Sequence, residues 1–248
     1  LVSLCGVLAE QVFPGDDWKD KPSPIASKYA TVGGELKIGG GPAPKSFNYY
    51  TSFAYDTAQI SGLMYESLLS GDIDLNDTPW LAHRWTISDD KKVLTFHIDK
   101  DARWSDGKPV TAHDVVWTYK TVLSNDTGVW KINLGKFESC EALDDYTVQF
   151  KAKEFHWKLL DIAGGFPILP KHVFADKNFM ELNFQFDVVS GPYTIEKHLD
   201  GQYVIMKRRD DWWGRKYKST KNTYNFDRIR FIFNASRKNA FVSFKKGH

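Results

Sequence analysis

The sequence predicts a soluble body of α/β or α+β class, and three observations carry that expectation. Segments of apolar–polar alternation are interleaved with segments whose apolar residues recur at helical spacing. Neither kind repeats at a fixed period, which sets aside solenoids and barrels. The 248 residues, 42% hydrophobic and 26% charged, have the length and balance of a folded chain with a buried core rather than of a disordered one. No run approaches the roughly 20 apolar residues that a membrane-spanning helix needs.

The chain opens on Leu1-Val2-Ser3-Leu4-Cys5-Gly6-Val7-Leu8-Ala9 and turns polar at Glu10-Gln11, the form of a signal-peptide tail. Val7 and Ala9 occupy the small-residue positions, which places cleavage between Ala9 and Glu10. Lipidation at Cys5 is the alternative, disfavoured because Leu4 is large for the position before a lipidated cysteine; a short buried helix ranks third. Residues 10–32, with Pro14, Pro22 and Pro24 among charges, read as an extended leader, since proline removes backbone donors.

The ordered fold is expected from Gly33. Residues 33–38 alternate and run into Gly39-Gly40-Gly41-Pro42, a strand entering a loop. Asp56 reads as an N-cap with Gln59 three residues on, and Ile60, Leu63, Met64 and Leu68 predict a helix reaching Ser70-Gly71. Leu94, Phe96 and Ile98 alternate after a Ser88-Asp89-Asp90-Lys91 turn, which predicts a hairpin. Asp106-Gly107 forms a second turn, after which Thr111 caps a helix with Asp114 at N3 and Val115, Val116, Tyr119 and Leu123 as its stripe. Tyr146, Val148 and Phe150 make a further strand, as do residues 203–207 and 228–233. A last helix runs from Ser236 as N-cap to Gly247 as its stop.

No pattern points to catalysis, metal or a cofactor. The histidines (83, 97, 113, 156, 172, 198 and 248) lack the close spacings that set two imidazoles on one metal. Ser88 and Lys91 match the Ser-x-x-Lys of penicillin-binding enzymes but sit in a turn, without the Lys-Thr-Gly or Ser-Asp-Asn that should follow. The glycines form no phosphate-binding pattern. The paired carboxylates (Asp16-Asp17, Asp89-Asp90, Asp144-Asp145, Asp210-Asp211) are adjacent turn residues that cannot face one another across a substrate. Cys5 and Cys140 make neither a disulfide scaffold nor a redox motif. A net charge of +2 from 33 basic and 31 acidic residues gives no global attraction for nucleic acid. The basic run Lys207-Arg208-Arg209, with Arg215, Lys216, Lys218 and Lys221, is interrupted by Asp210 and Asp211 and reads as a solvated face.

One ordered series of segments remains. It begins with Tyr65-Glu66-Ser67-Leu68-Leu69, Pro79-Trp80-Leu81-Ala82 leading to Trp85, and Thr95-Phe96. The densest stretch follows, Ala102-Arg103-Trp104-Ser105-Asp106-Gly107-Lys108-Pro109-Val110-Thr111-Ala112-His113-Asp114-Val115-Val116. After it come Tyr146-Thr147-Val148, Ile168-Leu169-Pro170-Lys171-His172, Ser190-Gly191-Pro192-Tyr193 and Arg208-Arg209-Asp210-Asp211-Trp212-Trp213-Gly214. The series resembles the family 5 extracellular solute-binding proteins, the oligopeptide, dipeptide and nickel binders of ABC importers. Asn225-Phe226-Asp227-Arg228-Ile229-Arg230-Phe231 is most similar to the branch that binds oligopeptides and microcin C-type conjugates.

The resemblance implies an α/β fold of periplasmic-binding-protein type (type II, oligopeptide-binding kind), in which two lobes close on a ligand. Residues 33–49 and 189–248 would form the first-lobe sheet region, and residues 50–188 a subdomain inserted into it. Members of the family typically run much longer, and the second lobe would follow residue 248, so the reading is of an amino-terminal half without its second lobe. The implied role is a periplasmic, monomeric, non-enzymatic binder that takes oligopeptides or peptide-like solutes, without a cofactor, to a membrane permease. A sensor or scaffold of the same fold is the alternative, and a serine hydrolase using Ser88 and Lys91 the remote one. The loop Pro44-Lys45-Ser46-Phe47-Asn48-Tyr49 would line the cleft, with Phe166, Ile168 and the Ser190, Gly191 and Tyr193 turn as further candidates. Trp104 to Val116 reads as scaffold, since a turn and a helix start account for it.

Overall fold

A computed structural model describes residues 11–14, 21–234 and 236–246. The cleavage and lipidation expectations at Val7, Ala9, Glu10 and Cys5, the Asp16-Asp17 pair and the Gly247 stop lie outside the described residues. In chain order the elements are β1 (Gln11–Phe13), β2 (Glu35–Gly39), α1 (Tyr55–Met64), β3 (Leu69–Gly71), β4 (Asp77–Pro79), β5 (Ala82–Ile87), β6 (Val93–Ile98), α2 (Ala112–Ser124), α3 (Val129–Leu134), β7 (Phe137–Asp144), β8 (Thr147–Ala152), α4 (Leu159–Gly164), α5 (Lys171–Phe174), β9 (Tyr193–Leu199), β10 (Tyr203–Arg208), β11 (Arg228–Ile232) and α6 (Arg237–Lys245).

The strands form three sheets. A five-stranded sheet has the order β1-β5-β6-β8-β7, a four-stranded one β2-β11-β10-β9, and β3 pairs with β4 alone. The first is antiparallel throughout. In the second, β9, β10 and β11 are antiparallel, while β2 joins β11 in parallel. That parallel pairing explains why residues so distant in sequence meet: Glu35 takes a two-point grip from Arg230, at 2.8 and 3.1 Å.

Alternation decides which face of each strand is buried. Leu94, Phe96 and Ile98 of β6 and Val148 and Phe150 of β8 turn inward, and α2 lays Val115, Tyr119 and Val122 on them. Phe150 sits among Phe96, Tyr119, Phe137 and Phe166, all edge-on at 5.3 to 6.1 Å between ring centres, the geometry that aromatic quadrupoles prefer.

The expected turn and cap at residues 103–124 are present. Arg103 bridges Pro109, Gly107 takes a φ of 85°, and α2 starts directly after Thr111. Ser236 caps the last helix by accepting the Asn239 N–H at 3.2 Å.

Four expectations are corrected. The first long helix ends at Met64 rather than Ser70, and Asp56 lies in its first turn, with Ala54 as cap. The chain is drawn out of the helix because Glu66 is held in extended backbone by Ser190 Oγ and by the Ile168 N–H. Residues 11–13 of the leader pair with Trp85, Thr86 and Ile87 as an edge strand, and Phe13 stacks on Trp85 at 6.0 Å. The basic run is not a solvated face throughout: Arg209 is buried, donating to the carbonyls of Val189, Ser190 and Gly191 at 3.1, 3.2 and 2.9 Å. Buried guanidinium is tolerable there because those carbonyls and Asp211 satisfy its donors.

Candidate functional site

Where β2 ends and α1 begins, the surface opens into a cleft of about 1350 Å³. Its walls are the loop from Gly39 to Ser46, the first two turns of α1, Met180 and Asn183, and Ala240, Phe241 and Phe244 of α6. Strand β2 lies at the border of its sheet, and Ile38 and Gly39 carry that border into the cleft. An edge strand presents backbone donors and acceptors that another extended chain can use.

Helix α1 comes close to Gly40. A Cβ there would lie 3.0 Å from Asp56 Oδ1 and 3.1 Å from Oδ2. The approach lets the Gly41 N–H donate to the Asp56 carboxylate, yet burial still raises that carboxyl above its ordinary pKa. One turn along α1, Gln59 donates to Tyr55 Oη at 3.1 Å, while its Oε1 is buried without a partner. An orphaned amide atom is uncommon and costly, and the residue that carries it lines the cleft. Lys45 stands exposed at the rim. The cleft therefore offers a half-desolvated carboxyl, an unmet acceptor, a cation, a strand border and the apolar faces of Ile38, Phe241 and Phe244.

The residues singled out from sequence divide into two groups. Pro44, Lys45 and Ser46 line the cleft. The loop that bears them is pinned from both sides: Thr57 Oγ1 donates to the Ser46 carbonyl at 2.9 Å, and Ser46 Oγ donates to the Asn183 carbonyl at 3.1 Å. The rest are engaged in packing. Phe47 is wedged between Phe184 and His198, at 4.8 and 5.1 Å. Asn48 donates to the Phe179 carbonyl and accepts from the Tyr50 N–H, both at 3.1 Å. Tyr49 meets Trp130 edge-on at 5.4 Å. Phe166 lies against Phe150, and the Ile168 N–H donates to the Glu66 carbonyl. Ser190 Oγ accepts the Glu66 N–H, the Gly191 N–H donates to the Met64 carbonyl, and Tyr193 Oη donates to the Phe226 carbonyl.

Sequence reasoning missed Asp56 and Gln59 as lining residues. In the sequence both read as a helix start; their i, i+3 spacing, which places them on one face, is the available signal. Phe241 and Phe244 share such a spacing on α6.

The Ser88 and Lys91 pair does not assemble. Ser88 Oγ donates to Asp90 at 2.6 Å, and Lys91 Nζ lies 5.9 Å over the Phe155 ring. Among the described residues no group of three or more His, Cys, Asp or Glu is placed to hold a metal ion, and no helix is long and apolar enough to cross a membrane.

Residues 78–248 match the middle region of the bacterial extracellular solute-binding proteins, family 5. A binding protein of Brucella melitensis is 29% identical over 198 residues, covering 78% of this chain and 32% of the relative. The oligopeptide-binding protein AppA of Bacillus subtilis is 33% identical over 199 residues, 76% of this chain and 36% of that one. The solved structure of AppA in complex with a nonapeptide superposes with a TM-score of 0.75 at 26% identity, covering 88% of this chain and 43% of that chain. The chain thus spans about a third of the length of these curated relatives.

Proposed function

This chain belongs to family 5 of the bacterial extracellular solute-binding proteins, and from that membership we propose that it forms one wall of the ligand cleft in the substrate-binding component of an ABC importer, taking oligopeptides or peptide-like solutes to a membrane permease. The observation that carries the reading is the border of β2 running into a cleft of about 1350 Å³. A volume of that size exceeds the several hundred Å³ usual for small-molecule sites, and a strand border holds any extended main chain whatever its side chains. The relative solved with a nonapeptide supports the same ligand class.

In this reading Pro44, Lys45 and Ser46 touch the ligand with Asp56 and Gln59, and Phe47, Asn48, Tyr49, Phe166, Ile168, Ser190, Gly191 and Tyr193 hold the wall in shape. Residues 33–49 and 189–248 make the first-lobe sheet region and residues 50–188 the inserted subdomain. This division is supported by the sheets, since among the described residues β2, β9, β10 and β11 pair only with one another. The protein works outside the cytoplasm, as a monomer and without catalysis.

The test is saturation-transfer NMR on the chain with a pool of tri- to pentapeptides, a method that reads even millimolar contacts. Transfer to peptide backbone protons, lost when the cleft is blocked by a Gly39→Trp change, is expected. Equal transfer in the blocked variant would place the peptide elsewhere.

A further inference from the structure

A second cavity, of about 540 Å³, lies between the β3–β4 hairpin, residues 21–25 of the leader and the segment before β11, and it shares no lining residue with the cleft. Its size is ordinary for a small-molecule site. Trp80 and Tyr224 line it, both half-buried. Their ring centres are 6.4 Å apart with 52° between the planes, an open corner rather than a closed stack. Buried Trp212 braces the two rings, at 5.9 Å from Trp80 and 5.2 Å from Tyr224. Tyr224 keeps a φ of 52°, which a bulky residue seldom adopts and which persists only where the surroundings hold it. Trp212 and, at 6.3 Å, Tyr193 do so here.

Asp77 lines the same cavity. Burial raises its carboxyl above the ordinary value, and the negative charge of Asp161 raises it further. Among the described residues no hydrogen bond and no basic group offsets either effect. Two other charged residues line the cavity. The Asp72 carboxylate is committed to its own turn, accepting the Asp74 and Asn76 N–H groups at 2.8 Å each. Lys21 is exposed and exerts no pull on the Asp77 carboxyl.

We propose that Trp80, Tyr224 and Asp77 form a second binding site, separate from the cleft, for a small organic cation of the substituted-ammonium class. Ring faces of tryptophan and tyrosine attract such a cation, more strongly where water is excluded. The carboxylate supplies the neutralising charge, and the bound cation in turn offsets the repulsion from Asp161. A neutral apolar guest would leave Asp77 desolvated and unpaired. A metal ion fits less well, because hard cations take about six oxygen ligands and no group of three or more His, Cys, Asp or Glu is placed to hold one among the described residues.

The probes are choline, n-butylammonium and 3,3-dimethylbutanol, the last having the shape of choline without its charge. Saturation-transfer NMR on the chain should show choline or n-butylammonium binding in the millimolar range, and the alcohol at least about fivefold more weakly than choline. Whichever amine binds more tightly tells whether a methylated or a primary ammonium is the better guest, and either satisfies the proposal. W80L should weaken choline binding about 2- to 30-fold, and D77N about fivefold. D77N keeps the shape of a side chain that makes no hydrogen bond, so it carries the test even where W80L lowers the melting temperature. Choline should bind Gly39→Trp, with its blocked cleft, as it binds the parent. Equal binding of the alcohol, unchanged binding in D77N, loss of binding in Gly39→Trp, or no binding of either amine overturns the proposal.

Discussion

Trp213 donates its indole N–H to Glu66 at 2.8 Å across 147 residues of sequence. Trp212 fills the other carboxyl oxygen at 3.1 Å, and the Glu66 backbone is fastened to Ser190 and Ile168. Glu66, through its carboxyl and its backbone, thereby joins the α1–β3 connection, the segment before α5, the turn before β9 and the segment after β10. Burial raises its pKa to about 8, against the pull of the two indoles and the nearby Arg209 charge.

That shift makes stability depend on pH with a definite sign. The ordinary value for this group is 4.5, so between about 4.5 and about 8 the folded chain binds more protons than the unfolded one, and stability falls as pH rises through that window. In E66Q the amide nitrogen would face an indole N–H, donor against donor, at a cost of about 1–3 kcal/mol at low pH. The gap between parent and variant should narrow by at most about 1.4 kcal/mol per pH unit as pH rises toward 8. Urea unfolding at several pH values checks this; a constant gap would mean that Glu66 stays ionised throughout.

Asp114 makes a second such node inside the dense stretch of residues 102–116. Its Oδ2 accepts from the Thr111 N–H, the Thr111 hydroxyl and Trp104 Nε1 at 2.9, 3.1 and 3.4 Å, and its Oδ1 from the Lys171 N–H at 2.9 Å. D114A should lower stability by about 2–4 kcal/mol, from a lost cap and stranded buried donors. The readout is again urea unfolding, and a loss under about 0.5 kcal/mol, the range of ordinary surface changes, would rule out the node.

These two nodes show where the sequence could and could not be read. Elements built on local pattern are legible: the alternation of β6 and β8, and the Thr111 and Asp114 cap. Helix α1 was drawn too long because Leu68 keeps helical spacing, while the restraint that extends the chain at Glu66 comes from Ser190, 124 residues away. Strand β7 carries no clean sequence alternation, because register shifts near Phe137 and Ala142 break it. Helices α3, α4 and α5, of 6, 6 and 4 residues, are too short to show a period. At the site, the resemblance points to Phe47, Phe166 and Tyr193 as cleft-lining candidates, yet all three are buried. Asp56 and Gln59 take their place in the cleft through the approach of α1 to the loop after β2, a long-range packing that local pattern does not carry.

Gly191 tests whether its turn is set by packing. A Cβ there would lie 2.5 Å from the Leu63 carbonyl oxygen and 2.9 Å from the Met64 carbonyl carbon, and backbone cannot yield as a side-chain end can. G191A should cost about 2 kcal/mol or more through overpacking, whereas G39A, where a Cβ meets nothing within 4 Å, should be close to neutral. Thermal melts of the two variants decide it; equal melting temperatures would show that the turn relaxes.

The cleft itself gives the last prediction. An acceptor buried without a partner costs about 1–3 kcal/mol, and Gln59 Oε1 recovers that cost if a ligand N–H reaches it. Q59L should weaken peptide binding by roughly 5- to 150-fold, the same energy expressed as an equilibrium, while leaving folding unchanged or slightly more stable because the orphaned atom is gone. Asp56 acts through charge instead. Its carboxyl is raised by burial but ionises at sufficiently high pH, and a peptide's free amino terminus would then be held better than an acetylated one. D56N can keep the bond from the Gly41 N–H through its amide oxygen and loses the charge, so the preference for free over acetylated peptides should vanish with little change for the acetylated set. Titrations followed by NMR across the four combinations of protein and peptide read this coupling directly. If acetylation weakens binding equally in parent and D56N, the amino terminus is held by another group and the ligand runs across the cleft in a different direction.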